Sequence, residues 1–185
     1  MILHRCFAWN ERARPTEPDG PLWFPRIYQG DGRHDNPDRY GCLYLADREV
    51  AAVVEQLSRF RGHRLIDEML VRRGLRLGLA SIELPDRAPM IDLDEPAVLS
   101  ENDLRPSVVA TRQREVTQPQ ALELYRTHRF AAGLRWWSVY EALWANVTIF
   151  DRAARRLTLG AVRRIALDDP AVGDAAALLG LELSA

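Results

Sequence analysis

The clearest hydrophobic pattern in the chain is helical and runs from Val50 to Phe60. Apolar side chains recur there with the i, i+3, i+4, i+7 spacing that gathers them on one face of a helix: Val50, Val53, Val54, Leu57 and Phe60. Asp47 precedes this run, and its carboxylate is suited to accept the first backbone N–H groups of a helix. The pattern therefore predicts an amphipathic helix capped by Asp47.

Shorter patterns predict the remaining elements. Alternation and short apolar runs between turn residues predict strands at 2–9, 42–46, 75–84, 90–93, 146–150 and 161–167. Helical spacing and capping residues predict helices at 63–73, from Thr117 towards Gly133, at 138–144, and from Asp169–Pro170 to Gly180. Residues 107–111 fit either a strand or the start of a helix. Mixed short strands and helices without regular alternation predict an α+β fold, with residues 1–185 forming a single compact domain.

Residues 10–38 are predicted to form a long ordered loop. Four prolines before Ile27 forbid a long helix there. Leu22, Trp23, Phe24 and Tyr28 make this segment too apolar for a free linker. Ordered loops of this length are often functional, so the segment is a place to look for a site.

The composition is that of a soluble globular protein and excludes several function classes. Of the 185 residues, 47% are hydrophobic and 28% charged, and the net charge is −1. This balance argues against broad electrostatic capture of nucleic acid or of an acidic membrane. The N-terminal residues lack a signal-peptide pattern, and no apolar run reaches the ~18 residues that span a bilayer. A cytoplasmic location is therefore expected.

Metal and redox motifs are missing from the sequence. The two cysteines, Cys6 and Cys42, do not form a CxxC pair, and the four histidines show no metal-ligand spacing. No phosphate-loop motif and no GxSxG motif is present either. The sequence therefore predicts no metal site.

Arg33 is the first candidate for ligand binding. It lies in the segment GDGRHDNP, where glycine permits a close backbone approach and a guanidinium is suited to bind a phosphate with two hydrogen bonds. A surface arginine in a turn is the alternative, and the pattern alone does not decide between them.

Tyr44 and Glu55 are candidates of the same kind. Tyr44 lies in the strand 42–46, where its ring is suited to stack on a flat heterocycle, although core packing is the commoner reason for a tyrosine there. Glu55 lies away from the middle of the apolar helix face, as expected for a residue facing a cleft and equally for a solvated one.

Ser138 has a structural alternative of its own. The residues Ser138-Val-Tyr-Glu141 match a capping box, in which the serine and the glutamate satisfy amides at the start of a helix. A serine at that place is also suited to donate to a ligand phosphate beside the helix N-terminus. The two roles are compatible.

The order and settings of these residues resemble the RES-domain family, which is named for arginine, glutamate and serine. The family's Gly–Arg loop, leucine–tyrosine strand and alanine-rich helix are similar to GRHDNPDRYGCLYLADREVAAVVEQ. Its later serine segment is similar to GLRWWSVYEALWANVTIFD, so the core motifs fall within residues 30–151. Two departures stand out: His34 replaces a tryptophan found in many members, and Trp136-Trp137 replace a tyrosine–proline pair.

The resemblance implies a fold similar to that of ADP-ribosyltransferase toxins and an enzyme that degrades NAD. On that basis Glu55, Arg33, Tyr44 and Ser138 are the expected catalytic residues. Glu55 would stabilise the oxocarbenium-like transition state, and Arg33 and Ser138 would hold the pyrophosphate. Tyr44 would bind the nicotinamide end. NAD is then a substrate, and no further cofactor is expected.

The resemblance also implies partners and leaves alternatives open. Many members are toxins of Xre–RES toxin–antitoxin pairs, so an Xre-family antitoxin is an expected partner, and water or inorganic phosphate is the expected acceptor. Transfer of ADP-ribose to a macromolecule is one alternative function. A non-catalytic interaction module on the same scaffold is another.

Overall fold

The computed structural model describes residues 1–184, and within them strands and helices are mixed in an α+β arrangement. The strands are β1 Ile2–Ala8, β2 Cys42–Ala46, β3 Arg64–Leu65, β4 Val71–Arg72, β5 Leu75–Glu83, β6 Met90–Asp92, β7 Gly133–Trp137, β8 Ala145–Phe150, β9 Thr158–Arg164 and β10 Glu182–Leu183. The α-helices are α1 Glu49–Leu57, α2 Pro96–Glu101, α3 Pro106–Ala110, α4 Arg114–Thr127 and α5 Pro170–Leu179. The predicted α+β class is confirmed.

The chain divides into two compact units. The first consists of Met1–Trp23, Leu45–Leu84 and the residues from Thr158 onward, and the second of Phe24–Tyr44 and Pro85–Leu157. Strand β2 therefore contributes its first three residues to the second unit and its last two to the first. The prediction of one domain over residues 1–185 stays a prediction.

The first unit is built on β5. This strand pairs antiparallel with β1, from Ile2 opposite Glu83 to Ala8 opposite Leu77, and also pairs antiparallel with β9 and β4. Helix α1 packs against β1 and α5. Its buried residues are Ala51, Ala52, Val53, Val54 and Leu57, because their spacing puts them on one face.

Two ends of helices in the first unit test the capping predictions. Asp169 caps α5 by accepting a hydrogen bond from the Ala171 amide at 2.9 Å, and Gly180 ends that helix in the left-handed conformation, with φ of 67°. The prediction for α1 is wrong, because Arg48 occupies the capping position and no side chain caps that helix.

Part of the first unit differs from its predicted structure. Residues 63–73 form no α-helix; they contain β3, a 3₁₀ turn at Asp67–Leu70, and β4. Strand β3 pairs in parallel with β10, and β4 pairs with the start of β5. Strand β10 lies far along the chain, whereas β5 follows β4 directly after Arg73 and Gly74. The hydrogen bonds of both pairings override the helical spacing of the local sequence.

The strands of the second unit are β6, β7, β8 and the start of β2. Strand β8, buried at every position, is hydrogen-bonded to β2 on one side and pairs antiparallel with β7 on the other. The short β6 runs parallel to β7. Helices α2, α3 and α4 complete this unit, and residues 107–111, which fitted either structure, lie mostly in α3.

Helix α4 begins earlier than predicted. It starts at Arg114, so Pro119 lies inside it, and it ends at Thr127. Pro119 is exposed, so its ring faces solvent while Thr117, Ala121 and Leu124 face the core. In that core Tyr125 stacks on Tyr40 with ring centroids 4.3 Å apart.

The predicted long loop is ordered. Arg5 of β1 is buried, and its guanidinium donates to the carbonyls of Gly20 at 3.2 Å and Pro21 at 2.7 Å. These bonds hold the first part of the loop within its own unit. None of the helices within residues 1–184 is long and apolar enough to cross a lipid bilayer.

Candidate functional site

The loop of residues 30–36 in the second unit is organised by the carboxylate of Asp35. One carboxylate oxygen, Oδ2, accepts hydrogen bonds from the backbone amides of Gly30 at 2.9 Å and Gly32 at 2.7 Å. Asp35 itself is buried, with 4% of its surface exposed. Because bonds to a charged acceptor are about twice as strong as neutral ones, they fix the loop tightly around this side chain.

Gly32 is required by the close packing inside this loop. A Cβ atom at this position would lie 2.5 Å from the hydroxyl oxygen of Tyr44 and 2.6 Å from both carboxylate oxygens of Asp35. Carbon and oxygen atoms do not approach so closely without displacing one another. Glycine at this position therefore lets Tyr44 and Asp35 approach the backbone closely.

Tyr44 meets the loop through its hydroxyl group. The hydroxyl donates to Asp35 Oδ1 at 2.7 Å and accepts a hydrogen bond from the His34 amide at 3.0 Å. The residue is half-buried, and burial raises the pKa of Tyr44 well above its ordinary value, so the group stays protonated at neutral pH. Tyr44 thus joins strand β2 to the loop that carries Arg33.

Arg33 is buried and held in place by contacts within the second unit. Its Nη1 atom donates to the carbonyls of Val109 at 2.7 Å and Thr111 at 2.5 Å. Its guanidinium carbon lies 4.8 Å from the centroid of the Trp136 ring, a cation–π distance. The guanidinium therefore has a defined position at the end of α3, and its role in phosphate binding stays a prediction.

His34 is a second buried residue of the loop. Its Nδ1 lies 2.9 Å from Thr148 Oγ1, which also accepts from Trp136 Nε1 at 3.3 Å, and its ring meets Trp136 edge to face at 5.4 Å. Burial, with smaller effects from Arg33 and Arg114, lowers the pKa of His34 to about 3. The imidazole is therefore neutral near pH 7 and serves as a packing partner of Trp136.

Helix α4 fastens the loop from the other side. Gln118 Nε2 donates to the carbonyls of Gly30 at 2.7 Å and Gly32 at 2.9 Å, and Thr117 Oγ1 donates to the Arg33 carbonyl at 2.6 Å. Asp35, Gln118 and Thr117 are not among the residues predicted from the sequence. A carboxylate that follows two glycines was a local signal for Asp35, whereas more than 80 residues separate the helix residues from the loop and leave no signal.

Ser138 lies at the end of a strand, so the predicted helix at 138–144 and its capping box are wrong. The residue follows β7, and its amide donates to the Trp144 carbonyl at 2.8 Å, which closes a loop between β7 and β8. Its Oγ accepts from the Tyr140 amide at 3.2 Å, two residues on, in a local turn. The antiparallel pairing of β7 with β8 decides this conformation over the local capping pattern.

A cavity of about 890 Å³ adjoins Ser138 within the second unit. Its walls combine apolar side chains, such as Leu99 and Trp137, with the carboxylates of Asp94, Asp103 and Glu141. No arginine lines it among the described residues. Its size is that of a small-molecule site, and its charge suits uncharged or positively charged parts of a ligand better than phosphate groups.

Three of the four predicted residues therefore lie in the second unit. Arg33 contacts Trp136, which precedes Ser138 by two residues, and Tyr44 contacts the loop that carries Arg33. Glu55 belongs to the first unit and is exposed on α1. That Glu55 shares a site with the other three stays a prediction.

Comparison with known proteins gives a family and a related structure. The family model described as "RES domain" matches residues 3–168. No curated protein matches the chain. The solved structure of the M. tuberculosis MbcT–MbcA toxin–antitoxin complex contains a similar chain, with 17% identity and a TM-score of 0.63. The match covers 97% of the present chain and 87% of the mycobacterial one, and at this identity it shows the likeness of fold.

Proposed function

We propose that this protein, which belongs to the RES-domain family, cleaves the nicotinamide–ribose bond of NAD. The observation that carries the proposal is the fixed loop of residues 30–36 in the second unit. It holds a buried guanidinium against Trp136 of β7, and Ser138, which follows β7, lines a cavity of about 890 Å³. This volume lies within the range of roughly 300–1,000 Å³ found for small-molecule sites.

The proposed reaction is a substitution at C1′ of the nicotinamide ribose. The bond from C1′ to the pyridinium nitrogen breaks, and its electron pair leaves with nicotinamide. An oxygen of water or of inorganic phosphate forms the new bond to C1′, giving ADP-ribose or its 1-phosphate, and the acceptor loses a proton when it is water. Positive charge develops on the ribose as the first bond breaks, so a nearby carboxylate accelerates the reaction.

Each of the four predicted residues has a role in this proposal. The carboxylate of Glu55 stabilises the developing charge and orients the acceptor. Arg33 and Ser138 hold the pyrophosphate, with the fixed guanidinium supplying the positive charge that the walls of the cavity beside Ser138 lack. The carboxylates of that cavity suit the uncharged and positively charged parts of the dinucleotide. Tyr44 binds the nicotinamide end.

The biological setting we propose is that of a toxin held in check by an antitoxin. The similar mycobacterial structure is a toxin–antitoxin complex, and that supports a protein partner for the present chain. An Xre-family antitoxin is the partner that the family implies. The proposed location is the cytoplasm, where NAD is available as a substrate.

The test is NAD consumption by the purified protein, with and without inorganic phosphate, with nicotinamide and the ribose product identified by chromatography. Glu55→Gln and Arg33→Lys are compared with Glu68→Gln, which changes another exposed glutamate of the first unit. We expect wild type and Glu68→Gln to release nicotinamide, and Glu55→Gln to lose about 100-fold or more in kcat.

Other outcomes separate the alternatives. Radiolabel from NAD that remains on protein or nucleic acid would replace hydrolysis by ADP-ribose transfer. Turnover that survives Glu55→Gln would keep the enzyme and remove Glu55 from its site. NAD binding without turnover, in folded protein free of any partner, would support a non-catalytic interaction module.

A further inference from the structure

The hydroxyl group of Ser138 has a proton that no protein group accepts. A serine hydroxyl carries one proton and two lone pairs. One lone pair accepts from the Tyr140 amide at 3.2 Å, and among the described residues no atom accepts the proton. Ser138 is only 4% exposed, and it lines the cavity of about 890 Å³. Because a buried donor without an acceptor is costly, we expect a ligand group in this cavity to accept the proton.

The walls of the same cavity carry negative charge that the protein leaves largely unbalanced. Glu141 is half-buried, and its Oε1 accepts a long hydrogen bond of 3.4 Å from the Leu143 amide. Within residues 1–184 neither Glu141 nor Asp103 forms an ion pair. The third carboxylate, that of Asp94, lies 3.7 Å from Arg135 and is partly balanced by it. The cavity therefore accepts hydrogen bonds from a ligand and repels a negatively charged group.

From these walls we infer that the cavity binds the adenosine half of NAD, and that Glu141 and Asp103 exclude the 2′-phosphate of NADP. The inference rests on the proposed function, in which Ser138 holds the pyrophosphate and Tyr44 binds the nicotinamide end. Tyr44 is not among the residues that line the cavity. The adenosine half, on the other side of the pyrophosphate, is therefore the part of the dinucleotide that fills it.

Adenosine fits the chemistry of these walls. Adenine is flat and uncharged and can stack on the ring of Trp137, which lines the cavity. The ribose hydroxyls and the adenine amino group are hydrogen-bond donors, and the carboxylates are acceptors. In dinucleotide sites of another fold an acidic residue accepts from the 2′-hydroxyl of NAD, whereas an arginine accommodates the 2′-phosphate of NADP. Among the described residues the lining includes three carboxylates and no arginine, so it matches the first case.

The experiment measures the dissociation constants of ADP-ribose and of its 2′-phosphorylated form by calorimetry. The two ligands differ only in that phosphate, and neither carries a nicotinamide–ribose bond that the protein could cleave. Wild type is compared with Glu141→Gln, Asp103→Asn and Glu101→Gln. Glu101 is exposed on α2 and does not line the cavity, so its variant is a control for the change in charge. Asp103 has a φ of 52°, which asparagine also adopts, so Asp103→Asn keeps the backbone.

We expect wild type and Glu101→Gln to bind ADP-ribose at least about tenfold more tightly than its 2′-phosphorylated form. The reason is that each carboxylate within a Debye length of about 8 Å disfavours a phosphate dianion roughly three- to tenfold. Glu141→Gln and Asp103→Asn each remove one such charge, so each should lower the preference roughly threefold or more.

A general loss of structure would weaken both ligands alike, so the ratio of the two constants separates specificity from stability, and either cavity variant suffices if the other does not fold. Equal binding of both ligands to wild type, an unchanged ratio in the cavity variants, or binding of neither ligand would overturn the inference. NAD turnover is scored separately. A protein that cleaves NAD but binds both ligands equally keeps the proposed reaction and loses this inference, and one that shows the preference without cleaving NAD does the opposite.

Discussion

Gly32 lies so close to the Tyr44–Asp35 hydrogen bond that an added methyl group should disturb it measurably. In Gly32→Ala the new Cβ atom would meet the tyrosine oxygen at 2.5 Å and the carboxylate oxygens at 2.6 Å. Contacts of this length must relax, and two routes are open. Either the surrounding core accommodates an overpacked methyl, or Tyr44 and Asp35 move apart and lose their bond.

The two routes have similar costs, and together they set the expected magnitude. Overpacking a well-packed site costs typically about 1–3 kcal/mol. Losing a hydrogen bond to a charged group costs about 1.5–3 kcal/mol. The protein adopts the cheaper route, so we expect Gly32→Ala to lower the free energy of unfolding by about 2 kcal/mol.

The assay is equilibrium unfolding in urea followed by tryptophan fluorescence and by circular dichroism. Gly173→Ala is the matched control, because Gly173 lies within α5 and a Cβ there would have no atom within 4 Å. That control should gain roughly 0.5–1 kcal/mol, since alanine is the better helix former. If Gly32→Ala unfolds at the same urea concentration as wild type, the close packing deduced for the loop is wrong.

Two further predictions concern stability. His34 has a folded pKa of about 3, below its unfolded value, so its contribution to stability is full above about pH 6.5 and is lost as the pH falls from that value towards 3. Between pH 6.5 and 5, the free energy of unfolding of His34→Gln should therefore fall less steeply than that of wild type, by up to about 1.4 kcal/mol per pH unit. The variant His63→Gln, at an exposed histidine, should follow wild type, and parallel curves for all three proteins would contradict the lowered pKa of His34. Asp169→Ala removes the cap of α5 and should lower the free energy of unfolding by about 1 kcal/mol. Thermal unfolding measures this loss, with Asp174→Ala in the same helix as the control. Equal melting temperatures for the two variants would show that the cap contributes nothing.

The likeness to a known family depended on short motifs that fold locally. The loop arginine, the tyrosine of β2 and the glutamate of α1 follow one another within residues 33–55, and all three were predicted from the sequence. The hydrogen bonds that hold the loop in place could not be predicted from the sequence. Asp35 organises the loop through backbone amides, and Gln118 reaches the same loop from α4, a partner that no local pattern indicates.

The sequence by itself determined those elements whose signals are local. Helix α1 followed from the spacing of its apolar residues, and α5 followed from an aspartate cap, a proline at its first position and a final glycine. The α+β class followed from the same periodicities. These features depend on residues within one or two helical turns of each other, so the local sequence determines them.

Tertiary structure decided the segments whose conformation depends on strand pairing. Residues 63–73 carry a helical pattern, yet they form strands that pair with β5 and β10. Residues 138–144 also carry one, yet they form the loop between β7 and β8. Asp47 fits a helix cap but does not serve as one. In residues 63–73 and 138–144 strand pairing satisfies the backbone groups, and this outweighs the few tenths of a kcal/mol per residue that local propensity offers.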